Sequence, residues 1–244
     1  MYFGYYYLDP YYFFVLAAII FSLIASARVN SVFRSYSRVR NYRGLTGADA
    51  ARAVLSANGV SGVRIERVSG ELTDHYDPKN NVIRLSESVY DSATVSAVGV
   101  AAHEAGHAVQ YAEDYAPIKL RAAIVPATNF ASRLSMPLIF IGLILMSVQS
   151  LAMFYDVFYY LALAGALCYS LCVVFQLVTL PTEFNASRRA LRAIDQSGLL
   201  SEEEQRGARK VLSAAAMTYV AALSVTLMQF LRLLLIVGGR RRRD

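Results

Sequence analysis

Long apolar segments dominate this chain and limit the folds that are open to it. The first, residues 11–27, contains no charged side chain, and others cover residues 136–155, 157–180 and 214–237. Each reaches the roughly 17–25 residues that an α-helix needs to span a bilayer. Hydrophobic residues make up 56% of the chain, above the roughly 45–50% of soluble domains. We therefore predict an integral membrane protein with three or four transmembrane helices.

The first apolar segment is predicted to remain as a membrane anchor. A cleaved signal peptide would have basic residues before its apolar core, whereas residues 1–10 contain no Lys or Arg and include Asp9. Arginines follow the segment instead, at positions 28, 34, 38, 40 and 43. The positive-inside rule then places the N-terminus outside and the next region in the cytoplasm. The predicted location is the plasma (inner) membrane, with several spans.

The two middle segments are separated by little more than Asp156, which predicts a helical hairpin with both ends on one side of the membrane. The hairpin returns Glu183 to the cytoplasmic side. The last segment is ambiguous. A full crossing would carry Arg240–Arg243 outward, against the charge rule, and Arg232 lies inside the apolar stretch.

The polar region between the spans predicts a mixture of helices and short strands. Residues 46–58 have a polar start, many helix formers and a glycine stop at Gly59, which indicates a short amphipathic helix. Residues 62–69 alternate apolar and charged side chains, and residues 81–86 follow a turn signal, so both are predicted strands. Residues 93–111 predict a helix with one apolar face.

The predicted helix at residues 93–111 contains the pattern H-E-A-G-H. Residues four apart lie on one helix face, so His103 and His107 can bind one zinc ion, with Glu104 beside them as a general base. The alternative is a pair of buried histidines satisfied by hydrogen bonds. A catalytic zinc needs a third protein ligand, for which Glu183 is favoured and Glu113 and His75 remain alternatives. Glu183 is expected to begin a new helix after the third span, with Pro181 in its first turn.

Four motifs resemble those of the bacterial YugP-type membrane zinc metallopeptidases, and the resemblance covers nearly the whole chain. They are D-H-Y-D-P at 74–78, H-E-A-G-H-A-V-Q-Y-A-E-D-Y at 103–115, L-P-T-E-F-N-A-S-R-R-A at 180–190 and A-A-A-M-T-Y-V-A-A at 214–222. More distantly, E-F-N-A-S-R-R-A is similar to the third-ligand motif of the CAAX prenyl protease and HtpX gluzincins. The resemblance implies zinc on His103, His107 and Glu183. Ser187 replaces the aspartate of that group, so Asn185 or Asp74 is expected to orient an imidazole.

The D-H-Y-D-P segment carries a further expectation about the substrate. Residues 81–86, just after it, are expected to form an edge strand that pairs with the substrate backbone. His75 could then stabilise the oxyanion, although an ordinary hydrogen-bonded turn around Pro78 is the competing interpretation.

Two other functions compete with a peptidase. A site-2-type intramembrane protease would place its metal helix inside the bilayer, whereas this helix carries polar residues at both ends and the chain lacks a Leu-Asp-Gly segment. A scaffold or transporter would have charges in the second and third spans, which contain none.

Cys168 and Cys172 lie four apart in an apolar span and indicate neither a disulfide nor a zinc site. The net charge of +6 comes largely from arginines beside apolar segments, which suits lipid and not nucleic acid.

The complete prediction is an α+β, mainly α, zincin-like (gluzincin) zinc endopeptidase with its active site on the cytoplasmic side. Its substrates would be peptides or membrane proteins in processing or quality control, and homo-oligomers or an accessory membrane protein are left open. The expected division of the chain is an anchor (1–27), a first catalytic part (28–135), a transmembrane hairpin (136–180), a second catalytic part (181–213) and a C-terminal membrane-associated helix with a basic tail (214–244).

Overall fold

The computed structural model describes residues 11–240. The expectations for residues 1–10 and for the arginines at 241–243 lie outside the described residues. Within the described range the elements follow in the order α1 (Tyr12–Tyr36), α2 (Gly47–Ala57), β1 (Arg64–Val68), β2 (His75–Asp77), β3 (Val82–Ser86), α3 (Glu87–Tyr90), α4 (Val95–Ala112), α5 (Ala116–Met146), a 3₁₀ turn (Gln149–Phe154), α6 (Tyr155–Gln196) and α7 (Glu202–Arg240). The protein is mainly helical, with one small sheet.

The chain forms two compact units. The helical unit contains the described residues up to Leu23, Arg121–Val178 and the described residues from Val220 onward. The mixed unit contains Ile24–Leu120 and Thr179–Tyr219, and therefore the sheet and the H-E-A-G-H segment. Helices α1, α5, α6 and α7 each contribute residues to both units.

Close contacts between small residues hold α5 against α6 in the helical unit. A Cβ atom on Gly142 would lie 2.6 Å from the Phe158 carbonyl oxygen, and one on Gly165 would lie 2.7 Å from the Ser135 carbonyl oxygen. Both positions therefore require glycine. Small residues at helix contacts are typical of membrane proteins, where backbones approach closely to gain van der Waals contact.

Four helical segments of the described chain are long and apolar enough to cross a membrane: Tyr12–Tyr36, Ala116–Met146, Gln149–Gln196 and Glu202–Gly239. The last of these contains residues 214–237, for which the sequence leaves a full crossing undecided. The Arg232 guanidinium within it lies 5.4 Å from the centre of the Tyr12 ring, a cation–π contact that offsets part of the cost of the charge. The predicted hairpin turn at Asp156 is wrong, because the chain turns at residues 147–154 and Asp156 already lies in the first turn of α6.

The sheet of the mixed unit has the strand order β1-β3-β2. β1 pairs with β3 in parallel and β2 pairs with β3 antiparallel, so the prediction that residues 81–86 form an edge strand is wrong. Three apolar side chains of β3 are fully buried, namely Val82, Ile83 and Leu85, as expected for a strand covered on both faces. His75 lies in β2, and the hydrogen-bonded turn expected around Pro78 follows this strand, where Asp77 Oδ1 accepts hydrogen bonds from the backbone N–H groups of Lys79 and Asn80.

Helices α2 and α4 pack against the sheet. α2 begins directly after Thr46, as predicted, and α4 begins at Val95, two residues after the predicted start at residue 93. Thr46 caps α2 by accepting a hydrogen bond from the Asp49 backbone N–H, and the Asp49 carboxylate accepts one from the Thr46 N–H. Thr94 caps α4 with a single bond, in which its side chain accepts from the Ala97 backbone N–H. These caps satisfy N–H groups that have no partner inside the helix.

The expectation of a new helix after Pro181 is wrong, because α6 runs unbroken from Tyr155 to Gln196 with Pro181 inside it. Proline removes one backbone donor. Packing stabilises the part of α6 that follows Pro181. Its side chains Ala186, Ala190 and Ile194 are fully buried in the mixed unit. One helix therefore carries the chain from an apolar span directly to Glu183.

Candidate metal centre

Helix α4 supplies the first part of the candidate site. His103 and His107 lie one turn apart on it, and their ring centroids are 4.7 Å from each other. The helical period places both imidazoles on the same face. His107 and Glu104 are buried, while His103 is half-buried. The helix thus presents two nitrogen ligands and one carboxylate from a single turn.

Helix α6 supplies the third candidate ligand because it packs closely against α4. A Cβ atom on Gly106 would lie 2.8 Å from the Ala186 carbonyl oxygen. Only glycine allows this approach, which explains the glycine of H-E-A-G-H in physical terms. Glu183, three residues before Ala186 on α6, is 2% exposed and its carboxylate reaches both histidines.

The three side chains converge through the atoms that would bind a metal. Oε2 of Glu183 lies 3.2 Å from Nε2 of His103 and 3.5 Å from Nε2 of His107. All three ligand atoms lie within 4.8 Å of one another. Ligands at 2.0–2.1 Å on a tetrahedral zinc are separated by about 3.3 Å, so this donor set fits zinc. His103, His107 and Glu183 could therefore form a metal site.

The electrostatics of this cluster favour a cation. Burial opposes a charge on His107, but the carboxylates of Glu183 and Glu104 raise its pKa overall. Acidic groups that favour an imidazolium ion also favour a divalent ion at the same point. A zinc ion with two neutral imidazoles and one carboxylate would balance the buried charge of Glu183.

A chain of hydrogen bonds sets the tautomer of His107. Arg189 donates from Nε to Oδ1 of Asn185 at 2.7 Å, and Nε2 of Gln110 donates to that oxygen and to the Thr182 carbonyl, each at 2.9 Å. Gln110 therefore points Oε1 at Nδ1 of His107, 3.0 Å away. Because Oε1 can only accept, Nδ1 carries the hydrogen and the lone pair of Nε2 faces Glu183. Gln110 thus prepares His107 as a ligand.

Ser187 contacts the other histidine of the cluster. Its Oγ lies 3.1 Å from Nδ1 of His103, and Nε2 of that ring faces Glu183. Because a hydroxyl can donate or accept, this contact orients the ring without setting its tautomer. A hydroxyl is therefore the hydrogen-bonding partner behind this histidine.

Ser187→Ala is expected to weaken zinc binding about tenfold, the lower end of the 10–100-fold cost of removing a hydrogen-bond partner of a ligand. Competition with a fluorescent zinc chelator measures this affinity. Ser56→Ala, an exposed helical serine of the same unit, serves as the control. Equal zinc affinity in both variants would remove Ser187 from the support of His103.

A small cavity of about 150 Å³ opens beside the cluster, and Glu104, His103 and Glu183 line it. Asp74 also lines it and accepts hydrogen bonds from the backbone N–H and hydroxyl of Ser86. Burial raises the pKa of Asp74, and the nearby charge of Glu104 adds to the shift. Asp74 therefore lies at the site but does not contact either imidazole.

The other residues named from the sequence lie further away. His75 is exposed and its Nδ1 lies 2.8 Å from the Thr73 carbonyl oxygen; it is outside the lining of the cavity that holds Glu104. Glu113 accepts a hydrogen bond from Arg189 and is not in the three-ligand cluster. Asn185 contacts Gln110 and not a histidine.

Sequence reasoning missed two residues of the site. Gln110 lies three residues after His107, a spacing that places both on one helix face and could have identified it. Tyr219 lines the cavity beside Glu104. It belongs to the A-A-A-M-T-Y-V-A-A segment, which supports the family resemblance but to which the sequence assigns no function. Because Tyr219 is far from the H-E-A-G-H motif along the chain, the sequence alone does not indicate that the two are close in space.

Two histidines and a glutamate around a metal position, with a second glutamate beside them, define the class of zinc metallopeptidases. The family model described as "Putative neutral zinc metallopeptidase" matches residues 11–238, and the chain belongs to this family. It is also 45% identical over 229 residues to "Putative membrane protease YugP" of Bacillus subtilis (strain 168), covering 93% of this chain and 97% of that protein. No solved structure matches the chain. The predicted family, enzyme class and zinc cofactor are thereby confirmed.

Proposed function

We propose that this protein is a membrane-bound zinc endopeptidase of gluzincin type, with zinc held by His103, His107 and Glu183. The observation that carries the proposal is the convergence of the two Nε2 atoms and Oε2 of Glu183 within 4.8 Å. Its catalytic part is built from the mixed unit, Ile24–Leu120 and Thr179–Tyr219.

Glu104 is the general base in this proposal. When bound, zinc supplies a Lewis acid that acidifies water and polarises the peptide carbonyl. Glu104 lines the same cavity as His103 and Glu183 and is not in the three-ligand cluster. Its carboxylate takes the proton of the attacking water and later delivers it to the leaving amine. Tyr219 is a hydroxyl donor in the lining, suited to the oxyanion that develops on the carbonyl.

Strand β2 is the proposed contact for the substrate backbone, in place of residues 81–86. It is an edge strand of the described sheet, since only β3 pairs with it. Asp74, directly before β2, lines the cavity with Glu104. An extended substrate added to this edge would run past the cavity. Membrane proteins and peptides close to the membrane, undergoing processing or clearance, are the proposed substrates.

Metal removal tests the proposed activity. The purified protein in detergent or nanodiscs should cleave an unstructured protein such as casein, lose cleavage after dialysis against a chelator, and regain it with one equivalent of zinc. A serine-protease inhibitor should have no effect. Cleavage that persists without metal would contradict a zinc mechanism.

We also propose that the site faces the cytoplasm, which the arginines after the first span support. Single cysteines at Lys79 and Glu203, both exposed, should react with an impermeant thiol reagent only after cells are permeabilised. Met153, 84% exposed in the turn between α5 and α6, should react in intact cells when replaced by Cys. The background lacks Cys168 and Cys172. Labelling of all three from one side would contradict this topology.

A further inference from the structure

A second, larger cleft lies beside the candidate site in the mixed unit. Its volume is about 620 Å³, and it runs between the part of α6 after Glu183 and the first part of α7. Arg188 and Arg192 line it from α6, and Arg209 lines it from α7. Residues three or four apart share a helix face, so each helix turns one continuous face toward the cleft.

The cleft has an excess of positive charge that the described chain does not balance. Within residues 11–239, Arg188, Arg192 and Arg209 form no ion pair and no hydrogen bond. Asp195 is the one acidic side chain in the lining. The neighbouring Arg189, by contrast, is paired with Glu113. Unpaired guanidinium groups gathered on two facing helices attract an anionic group, and their forked donors suit a carboxylate.

The cleft and the catalytic cavity share a wall. Ser187, Leu212 and Ala216 line both of them. Ser187 is also the residue that contacts His103. When the bond to be cleaved lies beside Glu104, the substrate residues next to that bond can therefore reach the cleft. Phe184 and Met217, which are about 40% exposed, add apolar surface to the lining for the stem of a side chain.

We propose that this cleft is a substrate subsite that accepts a carboxylate of the peptide, from an acidic side chain or the free C-terminus. The proposal rests on the peptidase function and names its substrate class: polypeptides with a negative charge near the cleaved bond. A peptide is favoured over an anionic lipid because the shared wall connects the cleft to the position of Glu104.

The test uses the full-length, zinc-loaded protein in phosphatidylcholine nanodiscs. Peptides found to be cleaved are compared with versions in which each Glu or Asp becomes Gln or Asn, and with versions that have an amidated C-terminus. The two series separate a side-chain carboxylate from a terminal one. The variant is Arg192→Gln/Arg209→Gln, and the control is Arg206→Gln, an exposed arginine of α7 outside the cleft.

The wild type should cleave the peptide with the carboxylate roughly two- to fivefold faster, by kcat/KM, than its neutral version, as expected for a charge pair made with exposed arginines. The double variant should lose this preference and keep the rate on the neutral peptide. Arg206→Gln should retain the preference. A wild type without preference, or a double variant that keeps it, overturns the proposal.

Binding separates a failure of the subsite from a failure of the peptidase function. Fluorescein-labelled Glu-containing and Gln-containing peptide pools are titrated onto Glu104→Gln protein with and without the two arginine changes. Charge-selective binding that needs the arginines supports the cleft even if the wild type cleaves nothing. Peptide binding that is the same with and without the two arginine changes overturns the subsite proposal. An activity that instead requires phosphatidylglycerol, and loses this requirement in the double variant, would identify a lipid site and also overturn the proposal.

Discussion

Glu104→Gln is expected to bind one zinc per chain and to lose about 10²–10⁴-fold in kcat, the usual contribution of a general base. The amide keeps the size of the side chain in the cavity but cannot take a proton. Zinc content by mass spectrometry and kcat on a cleaved peptide are the two measurements. Glu113→Gln, at the exposed end of the same helix, is the matched control and should keep most activity.

The two measurements distinguish a base from a structural residue. Loss of both zinc and activity in Glu104→Gln would mean that Glu104 supports the metal position and is not the proton acceptor. Cleavage at the wild-type rate would remove Glu104 from the mechanism.

Glu183→Ala is expected to weaken zinc binding by more than about 100-fold, beyond the 10–100-fold typical of partners of a ligand, and to abolish cleavage. The change removes the oxygen that lies 3.2 Å and 3.5 Å from the two imidazole nitrogens. Chelator competition gives the zinc affinity. Circular dichroism checks that the helices persist.

Glu113→Ala is the control for this experiment, because Glu113 was an alternative third ligand. Its carboxylate is about half-exposed and pairs with Arg189, and such pairs contribute only up to about 1 kcal/mol. Zinc affinity should therefore stay close to that of the wild type. The opposite result, with Glu113 required and Glu183 dispensable, would move the third ligand to the end of α4.

Local patterns in the sequence predicted much of the fold. The capped helix after Thr46, the H-E-A-G-H helix and the apolar spans depend on periodicity and on end signals within a few residues. The histidine pair could be predicted for the same reason, since one helical turn brings His103 and His107 together. The choice of Glu183 came from its place after the hairpin and from the family resemblance.

Features that depend on contacts between distant segments were not predicted. The central position of β3 depends on pairing with β2, whose three residues are too few to give a strand pattern. The continuity of α6 through Pro181 depends on the packing of Ala186 and Ala190, which outweighs the local signal for a helix start. Gln110 acquires its role from Asn185 and Thr182, more than 70 positions away.

X-ray absorption at the zinc edge of the purified wild-type protein tests the central claim most directly. The arrangement of His103, His107 and Glu183 predicts one zinc per chain with nitrogen and oxygen ligands at about 2.0–2.2 Å, including two imidazoles, and no sulfur. His103→Ala and His107→Ala should each lose the zinc, and with it the imidazole signal. A sulfur shell at about 2.3 Å, which would place the metal on Cys168 and Cys172, or a protein without zinc would contradict the site described.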